Sequence, residues 1–427
     1  MQKTKFKQTE IGKIPEDWEV KELNDVVIKL GDGLHGTPNY DDKGDYYFIN
    51  GNNLVDGKIK VNKETKKCSK EEFEKYKKEL NNRTILVSIN GTLGNIALYN
   101  DEKIILGKSA CYINVKDEYN LLFIKYVLKN KNFQNHIQSN ATGTTIKNVS
   151  LKQMREFKFG IPKNNKEQFI VSKIFSDLDA KIELNNKINK TLESIGQALF
   201  KRWFVDFEFP NEEGKSYKSS GGEMVNSELG MIPKGWKLQQ LKEIGKIICG
   251  KTPPTSDKDN YGEDYPFITI PDMHKGIFII KTERRLSKLG AETQKKKELY
   301  SLTICVSCIA TPGLVSLTTE KSFTNQQINS IVCNQEINPY FTYLSMKNKS
   351  GEIKMKGMGG TTTLNLNTGN FEKIEIIVPS ENMMKKFSLV ITGVFNKILF
   401  NSKEAENLSK IRDSLLPKLM NGEIRVK

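Results

Sequence analysis

The sequence predicts an α+β protein built from two tandem globular α/β domains and two long helices. Three observations predict it. Sequence echoes divide the chain into two copies, each copy opens with short β-prone runs, and each closes with a long stretch of helical period. Duplication within one chain presents two similar surfaces, which suits a partner that is itself repetitive.

The echoes start at the head of each copy. Ile14-Pro15-Glu16-Asp17-Trp18, followed by Leu23, returns as Ile232-Pro233-Lys234-Gly235-Trp236, followed by Leu241. Asp45-Tyr46-Tyr47-Phe48-Ile49 returns as Asp264-Tyr265-Pro266-Phe267-Ile268, and Thr84-Ile85-Leu86-Val87-Ser88 as Thr303-Ile304-Cys305-Val306-Ser307. Gly57 and Gly94 are answered by Gly276 and Gly313. Gly143-Thr144-Thr145 stands as far before Pro162 as Gly360-Thr361-Thr362 stands before Pro379. Any single echo is within reach of chance; an ordered series argues for a pseudo-twofold internal repeat. In both copies Val, Ile, Tyr and Phe runs lie between Gly, Asn and Asp turns, the pattern of short strands. Trp18 and Trp236, each close behind a rigid Ile-Pro, read as anchors into a core rather than as exposed stacking surfaces.

The helical stretches follow. Ile174, Leu178, Ile182, Ile188, Leu192, Ile195 and Leu199 form one apolar stripe, with Pro162 as its upstream boundary. Phe387, Val390, Val394, Ile398, Leu408, Ile411, Leu415 and Leu419 form its counterpart. A helix of about 35 residues is about 50 Å long, too long for one small domain to cover. The nearest cover is the other copy's stripe, giving an antiparallel coiled-coil rod. The alternative is that each helix folds back across its own domain. Breaks in the heptad near Asn185-Asn186 and Ser402-Lys403 predict irregular packing or local bends. The expected boundaries are a first globular domain over 1–160, a central long helix over 161–208, an exposed linker over 209–228, a second globular domain over 229–379 and a C-terminal long helix over 380–427.

Composition narrows the function. A chain of 427 residues holds two or three domains with real cores. Its formal charge of +15 comes mostly from lysine, with basic stretches over 58–78 and 284–297. A polyanion is the natural partner, because neutralised phosphates release counterions; a merely soluble, lysine-rich surface is the plainer account. No run approaches membrane-spanning length and nothing resembles a signal peptide, so a cytoplasmic protein without a membrane partner is expected.

Several motifs tempt. Cys305-Val306-Ser307-Cys308 has CxxC spacing, but it lies in an apolar β-like run with no second pair at zinc-ligand distance, so buried thiols are expected. His35, His136 and His274 do not cluster in sequence. Gly245 to Thr252 satisfies the phosphate-loop pattern literally. Its middle, Lys246-Ile247-Ile248-Cys249, is stiff and apolar, and Pro253-Pro254 disfavours the helix that a phosphate loop must open. Asn338-Pro339-Tyr340 resembles part of an amino-methyltransferase tetrapeptide but lacks its second proline. It reads better as a helix start, with Asn338 as cap and Phe341 and Leu344 facing inward. No carboxylate cluster of the two-metal kind stands out. No catalytic, cofactor-binding or metal-ligating residue is expected on this chain.

Taken together, the repeats, the paired helices and the linker resemble the specificity subunit of type I restriction-modification systems. Leu229-Gly230-Met231-Ile232-Pro233-Lys234-Gly235-Trp236 matches the usual start of that family's second recognition domain. Leu199-Phe200-Lys201-Arg202-Trp203-Phe204-Val205-Asp206-Phe207 and Leu415-Leu416-Pro417-Lys418-Leu419-Met420-Asn421-Gly422 are similarly family-like, and the resemblance covers nearly the whole chain. It implies two target-recognition domains, each reading one half of a split double-stranded DNA target, with the helices setting the spacing. It also implies docking to two modification subunits, which hold S-adenosylmethionine and methylate adenine, and to two restriction subunits, which use ATP and Mg2+. None of these cofactors is expected on this chain.

Base edges are read by Asn, Gln, Arg, Lys, Ser and Thr, while phosphate contacts position the protein. Such residues concentrate in glycine-bearing turns, where the backbone can approach DNA closely. The candidates are Ser88, Asn90, Thr92, Asn140, Thr142, Thr144 and Lys147 in the first copy. Those in the second are Lys251, Ser307, Thr311, Lys356, Thr361 and Thr362. Ordinary strand turns are the plainer account of any one of them. Trp203, Phe204, Phe207, Leu415 and Leu419 are the candidates for subunit docking. Two rival functions remain: a coiled-coil scaffold without specific DNA readout, and a stand-alone DNA-modifying enzyme. RNA binding is a third, though the aromatic-basic RNP pattern is absent.

Overall fold

The computed structural model describes residues 4–357 and 365–426. The chain divides into two compact units. One takes the chain up to Lys181 and again from Leu408, and the other is Ile182–Asn407.

In the first unit, strands β1 (Val27–Asp32), β2 (Thr84–Ser88), β3 (Ile96–Leu98) and β4 (Ala110–Val115) form an antiparallel sheet of order β3-β2-β4-β1. Every residue of β2 and β4 is buried, because both faces of the sheet are covered. The strand period of two sends Ile85, Val87, Cys111 and Ile113 into one core, where Phe123, Tyr126 and Phe133 meet them. Leu86, Ala110 and Tyr112 enter the other core, with Ile49 and Leu106. A second sheet of three strands, Ile104–Leu106, Tyr46–Ile49 and Lys67–Cys68 in that order, covers this other face.

The start of the unit is held by its own distant ends. Strand Trp18–Glu22 pairs antiparallel with Lys158–Pro162. Trp18 is fully buried, and Gly422, with φ +70°, lies so close that a side chain there would strike the Pro15 ring. Arg425 completes the closure: its guanidinium donates to both oxygens of Asp17 and of Glu167 at 2.6–2.9 Å. Helices Leu121–Lys129 and Lys131–Asn140, not foreseen among the β-prone runs, pack on the sheet. Asn120 caps the first of them, accepting from Phe123 N.

The second unit has β5 (Gly245–Cys249), β6 (Ile304–Ser307), β7 (Val315–Thr318) and β8 (Ile328–Cys333) in the order β7-β6-β8-β5, with Phe278–Ile279 added beyond β7. A three-stranded sheet of Arg284–Leu286, Tyr261–Ile268 and Phe323–Thr324 accompanies it. The residues that resemble a phosphate loop therefore form β5, a strand rather than a loop opening a helix. Asn338 caps helix Pro339–Asn348 by accepting from Tyr340 N and Phe341 N, and Phe341 and Leu344 are buried, as their spacing predicts. Over 209–228, where an exposed linker is expected, most residues are exposed and some are held by local contacts. Phe209 stacks on Tyr217 and Trp236, at 4.5 and 5.0 Å between ring centroids, and Met224–Ser227 pairs with Gly230–Pro233.

Two long helices are divided between the units. α1 (Asn165–Phe200) has 36 residues and passes into a π-helical turn at Lys201–Val205; α2 (Glu381–Met420) has 40. They interact antiparallel. In the first unit Asp179 accepts from Arg412 at 2.8 Å. In the second, Asn185 donates to Glu404 at 2.7 Å, Asn189 to Ser402 at 3.0 Å, and Asn401 to Asn189 at 3.0 Å. Gly196 faces Phe395 and Ile391. The heptad breaks near Asn185 and Ser402 thus mark a polar layer inside the pair, with Asn185 and Asn401 buried and both helices continuous.

Candidate nucleic-acid interface

At the end of the first unit's main sheet, beyond β2, backbone hydrogen bonds draw several loops together. Gly91 N donates to Lys147 O at 2.9 Å and Val149 N to Ile89 O at 2.9 Å, so residues 89–92 lie along residues 147–149. Thr142 and Asn148 exchange both backbone hydrogen bonds at 2.8 Å and close residues 143–147 into a projecting loop. Gly143 has φ +98°, and a side chain there would strike the Ile146 carbonyl. Ile89 N also donates to Ser109 O, and Lys108 N to Leu34 O. These bonds add the turn before β4 and the loop after β1.

The loop tips are open. Thr92, Thr142, Thr144 and Lys147 are exposed, and Ile146 is 61% exposed. Asn90 is half-buried and donates to the Asn148 side chain at 3.3 Å. Asn140 lies in helix Lys131–Asn140, and its amide is spent on His136 O at 2.8 Å. Ser88 is fully buried, and its Oγ accepts from Asn95 N at 2.8 Å. Ser88 therefore shapes the turn rather than facing solvent.

The second unit ties equivalent loops with equivalent bonds. Ser307 is fully buried and accepts from Leu314 N at 2.9 Å, while Gly313 N donates to Ser307 O as Gly94 N does to Ser88 O. Gly250 N donates to Ile328 O and Lys251 N to Thr324 O, mirroring Gly33 N to Ala110 O and Leu34 N to Leu106 O. Lys251 is exposed beside Thr252, which donates to the exposed Gln326 side chain at 2.7 Å. Thr311 is exposed on the loop after β6. Lys356 is exposed on helix Ser350–Gly357 and pairs with Glu352 at 2.8 Å. Thr361 and Thr362 lie outside the described residues.

The rims thus bring together Asn90, Thr92, Thr142, Thr144 and Lys147 in the first unit, and Lys251 and Thr311 in the second. They also hold Lys108 and Gln326, which sequence reading did not single out. The signal available for both was their place in short polar turns, Gly107-Lys108-Ser109 and Asn325-Gln326-Gln327, next to an apolar strand.

The aromatic candidates for subunit docking are interior, and this corrects the expectation. Trp203, Phe204 and Phe207 are at most 8% exposed and join the second unit's core, where Phe204 meets Trp236, Phe341 and Phe387 at 4.8–5.6 Å. Leu419 is buried in the first unit's core and Leu415 packs against that core. The exposed apolar residues of the second unit's helices are others, among them Leu389 at 84%, Phe400 at 59% and Ile195 at 49%.

The titratable side chains near these loops are few. No group of three His, Cys, Asp or Glu among the described residues could hold a metal ion. The Cys305 and Cys308 thiols are buried, and burial pushes them up to about 12 and about 11. No described helix is long and apolar enough to cross a membrane.

Comparison with known proteins agrees in kind. Residues 15–194 and 233–408 match the type I restriction modification DNA specificity domain. The HindI specificity subunit of Haemophilus influenzae is 41% identical over 66% of this chain and 72% of its own length. The MjaIX specificity subunit of Methanocaldococcus jannaschii is 29% identical over 99% of this chain and 97% of its own. A type I S subunit from M. genitalium shares the fold, with TM-score 0.59 and 19% identity over 94% of this chain and 96% of its own. The chain belongs to the type I restriction-modification specificity-subunit family, whose members contribute DNA recognition to the complex and no catalysis of their own.

Proposed function

We propose that the two loop ends are the reading surfaces of two target-recognition domains, each taking one half of a split double-stranded DNA target. The observation that carries this reading is the matched pair of loop scaffolds. Strand order and backbone hydrogen bonds correspond, while the exposed side chains differ, with Thr92, Thr144 and Lys147 in one unit and Lys251, Thr311 and Gln326 in the other. A constant frame with different tips is the arrangement that lets two half-sites differ in sequence. In this reading the domains run over 1–160 and 229–379 as a pseudo-twofold repeat, and α1 and α2 set the spacing between half-sites. Lysines at the rims contact phosphate, and the Asn, Gln and Thr side chains contact base edges.

The chain acts with two modification subunits, which hold S-adenosylmethionine, and two restriction subunits, which use ATP and Mg2+. The exposed Leu389, Phe400 and Ile195 support a docking surface on the helices. The test is base-resolved mapping of adenine methylation in DNA exposed to the chain plus its co-encoded modification subunit, with each alone as control. A two-part motif methylated only by the pair is expected. No methylation from a stable, cofactor-loaded assembly would move weight to a scaffold role, and activity from the chain alone to a stand-alone enzyme.

A further inference from the structure

Beside the loop end of the first unit runs a strip of aromatic rings and lysines that base reading leaves unused. Tyr40 is 46% exposed, and its ring lies 6.1 Å from that of Phe48 at 54°. The exposed Lys66 holds its ammonium 5.9 Å from the Tyr40 ring centroid. Phe48 belongs to strand Tyr46–Ile49, whose alternation turns Ile49 and Tyr47 toward the inner core and leaves Phe48 half-buried on the opposite face. A methyl at Gly107 would sit 2.9 Å from Phe48 Cζ, so this ring reaches the turn that carries the exposed Lys108. The strip Lys66, Tyr40, Phe48, Lys108 is therefore continuous with the candidate reading loops.

Rings flanked by ammonium groups match one chemistry well. On a duplex a ring packs against the deoxyribose of the backbone, and each ammonium neutralises a phosphate and releases its counterion. The neighbouring carboxylates act in the opposite direction. Asp41 accepts from Lys43 N at 2.9 Å, while Asp42 and Asp45 stand exposed. We propose that Lys66, Tyr40, Phe48 and Lys108 form a sequence-independent DNA contact that grips the duplex flanking the first half-site. This rests on the reading of the adjoining loop end as a DNA-recognition surface.

The experiment uses the full chain assembled with its modification subunits. DNA binding is measured by fluorescence anisotropy across a salt series, on a target duplex with long flanks and on one trimmed next to the first half-site. On the long duplex, Lys66→Gln is expected to reduce the slope of log affinity against log salt by about one. Tyr40→Ala is expected to weaken binding, and Asp42→Asn to strengthen it. The methylated motif stays unchanged in all three. The penalties vanish on the trimmed duplex, and Lys13→Gln, an exposed lysine in the hairpin formed by strands Phe6–Thr9 and Gly12–Pro15, leaves the slope as it was. Equal slopes and affinities for wild type and Lys66→Gln on the long duplex overturn the strip and leave the base-reading account standing. A penalty that persists on the trimmed duplex, or loss of subunit assembly instead of DNA affinity, also overturns it, the latter in favour of a protein-docking strip. Absence of DNA binding by the wild-type assembly overturns both readings.

Discussion

Ser88 and Ser307 show how far a residue's chemistry depends on where its oxygen points. Each lies at the end of an apolar strand, and each caps the backbone N–H seven residues on, Asn95 N and Leu314 N, with no solvent exposure. Ser88→Ala or Ser307→Ala leaves that N–H without its partner. Each is expected to cost about 1 kcal/mol in chemical denaturation while leaving the methylated motif intact. Arg425 carries a larger effect. It is the guanidinium that meets the buried Glu167 carboxylate, and hydrogen bonds to Glu167 and Asp17 raise it above the ordinary arginine value. Arg425→Ala is expected to cost about 3 kcal/mol in the same measurement, since it leaves a buried charge uncompensated. Asp179 adds a pH dependence. Burial alone would raise its carboxyl, but Lys129, Arg412 and Tyr126 outweigh burial and hold it below the ordinary value. The unfolded carboxyl therefore takes up its proton first as pH falls. The stability Asp179 contributes is present above about pH 4 and is lost as pH drops below that toward the folded value. Asp179→Asn should lower the thermal midpoint at neutral pH, and its difference from wild type should shrink in that acid window.

Among the elements, the long helices carry the feature most open to test. Their stripe is interrupted by Asn185, Asn189, Asn401, Ser402 and Glu404, which hydrogen-bond to one another across the pair, with Asn185 and Asn401 buried. A polar layer inside an apolar seam lowers stability relative to leucine but penalises slipped registers, where the amides would lie buried against apolar groups. Asn189→Ala removes the acceptor of the buried Asn401 amide and the donor to Ser402. It is expected to lower stability by about 1–3 kcal/mol in chemical denaturation. The loop of residues 143–147 behaves differently, because its shape hangs on one backbone conformation. Gly143→Ala should leave the thermal midpoint nearly unchanged, since no core contact is lost, yet weaken DNA binding by the assembly as the loop is driven off its φ of +98°.

For the molecule as a whole, the matched loop scaffolds make a modular prediction. Exchanging Thr92 and Thr144 for other polar residues should alter or relax one half of the methylated motif and leave the other half and the spacing unchanged, as read by base-resolved methylation mapping. A change in both halves would contradict independent reading. The formal charge of +15 sets the background on which this specificity acts, and it makes affinity fall with salt whatever the sequence bound.

Much of this architecture was legible in the chain because it is written in local patterns. The Ile-Pro…Trp starts, the strand echoes at Thr84 and Thr303 and the Asn338-Pro339 cap depend on neighbours a few residues away, and so does the apolar stripe of each helix. Cover is another matter. A stripe says that a face is apolar but not what lies on it, so Trp203, Phe204 and Phe207 read equally well as a docking surface. Only the packed unit puts Phe341, Phe387 and Trp236 against them. A heptad break marks polar residues, but whether they bend the helix or bond across it depends on a partner more than two hundred residues away. The side chains free to meet DNA were the least legible of all. Ser88 and Thr92 are alike in kind and stand in one turn, and their fates differ because the backbone of Asn95 folds over only one of them. Local propensity is a property of the chain; burial is a property of the contacts made by residues distant along it.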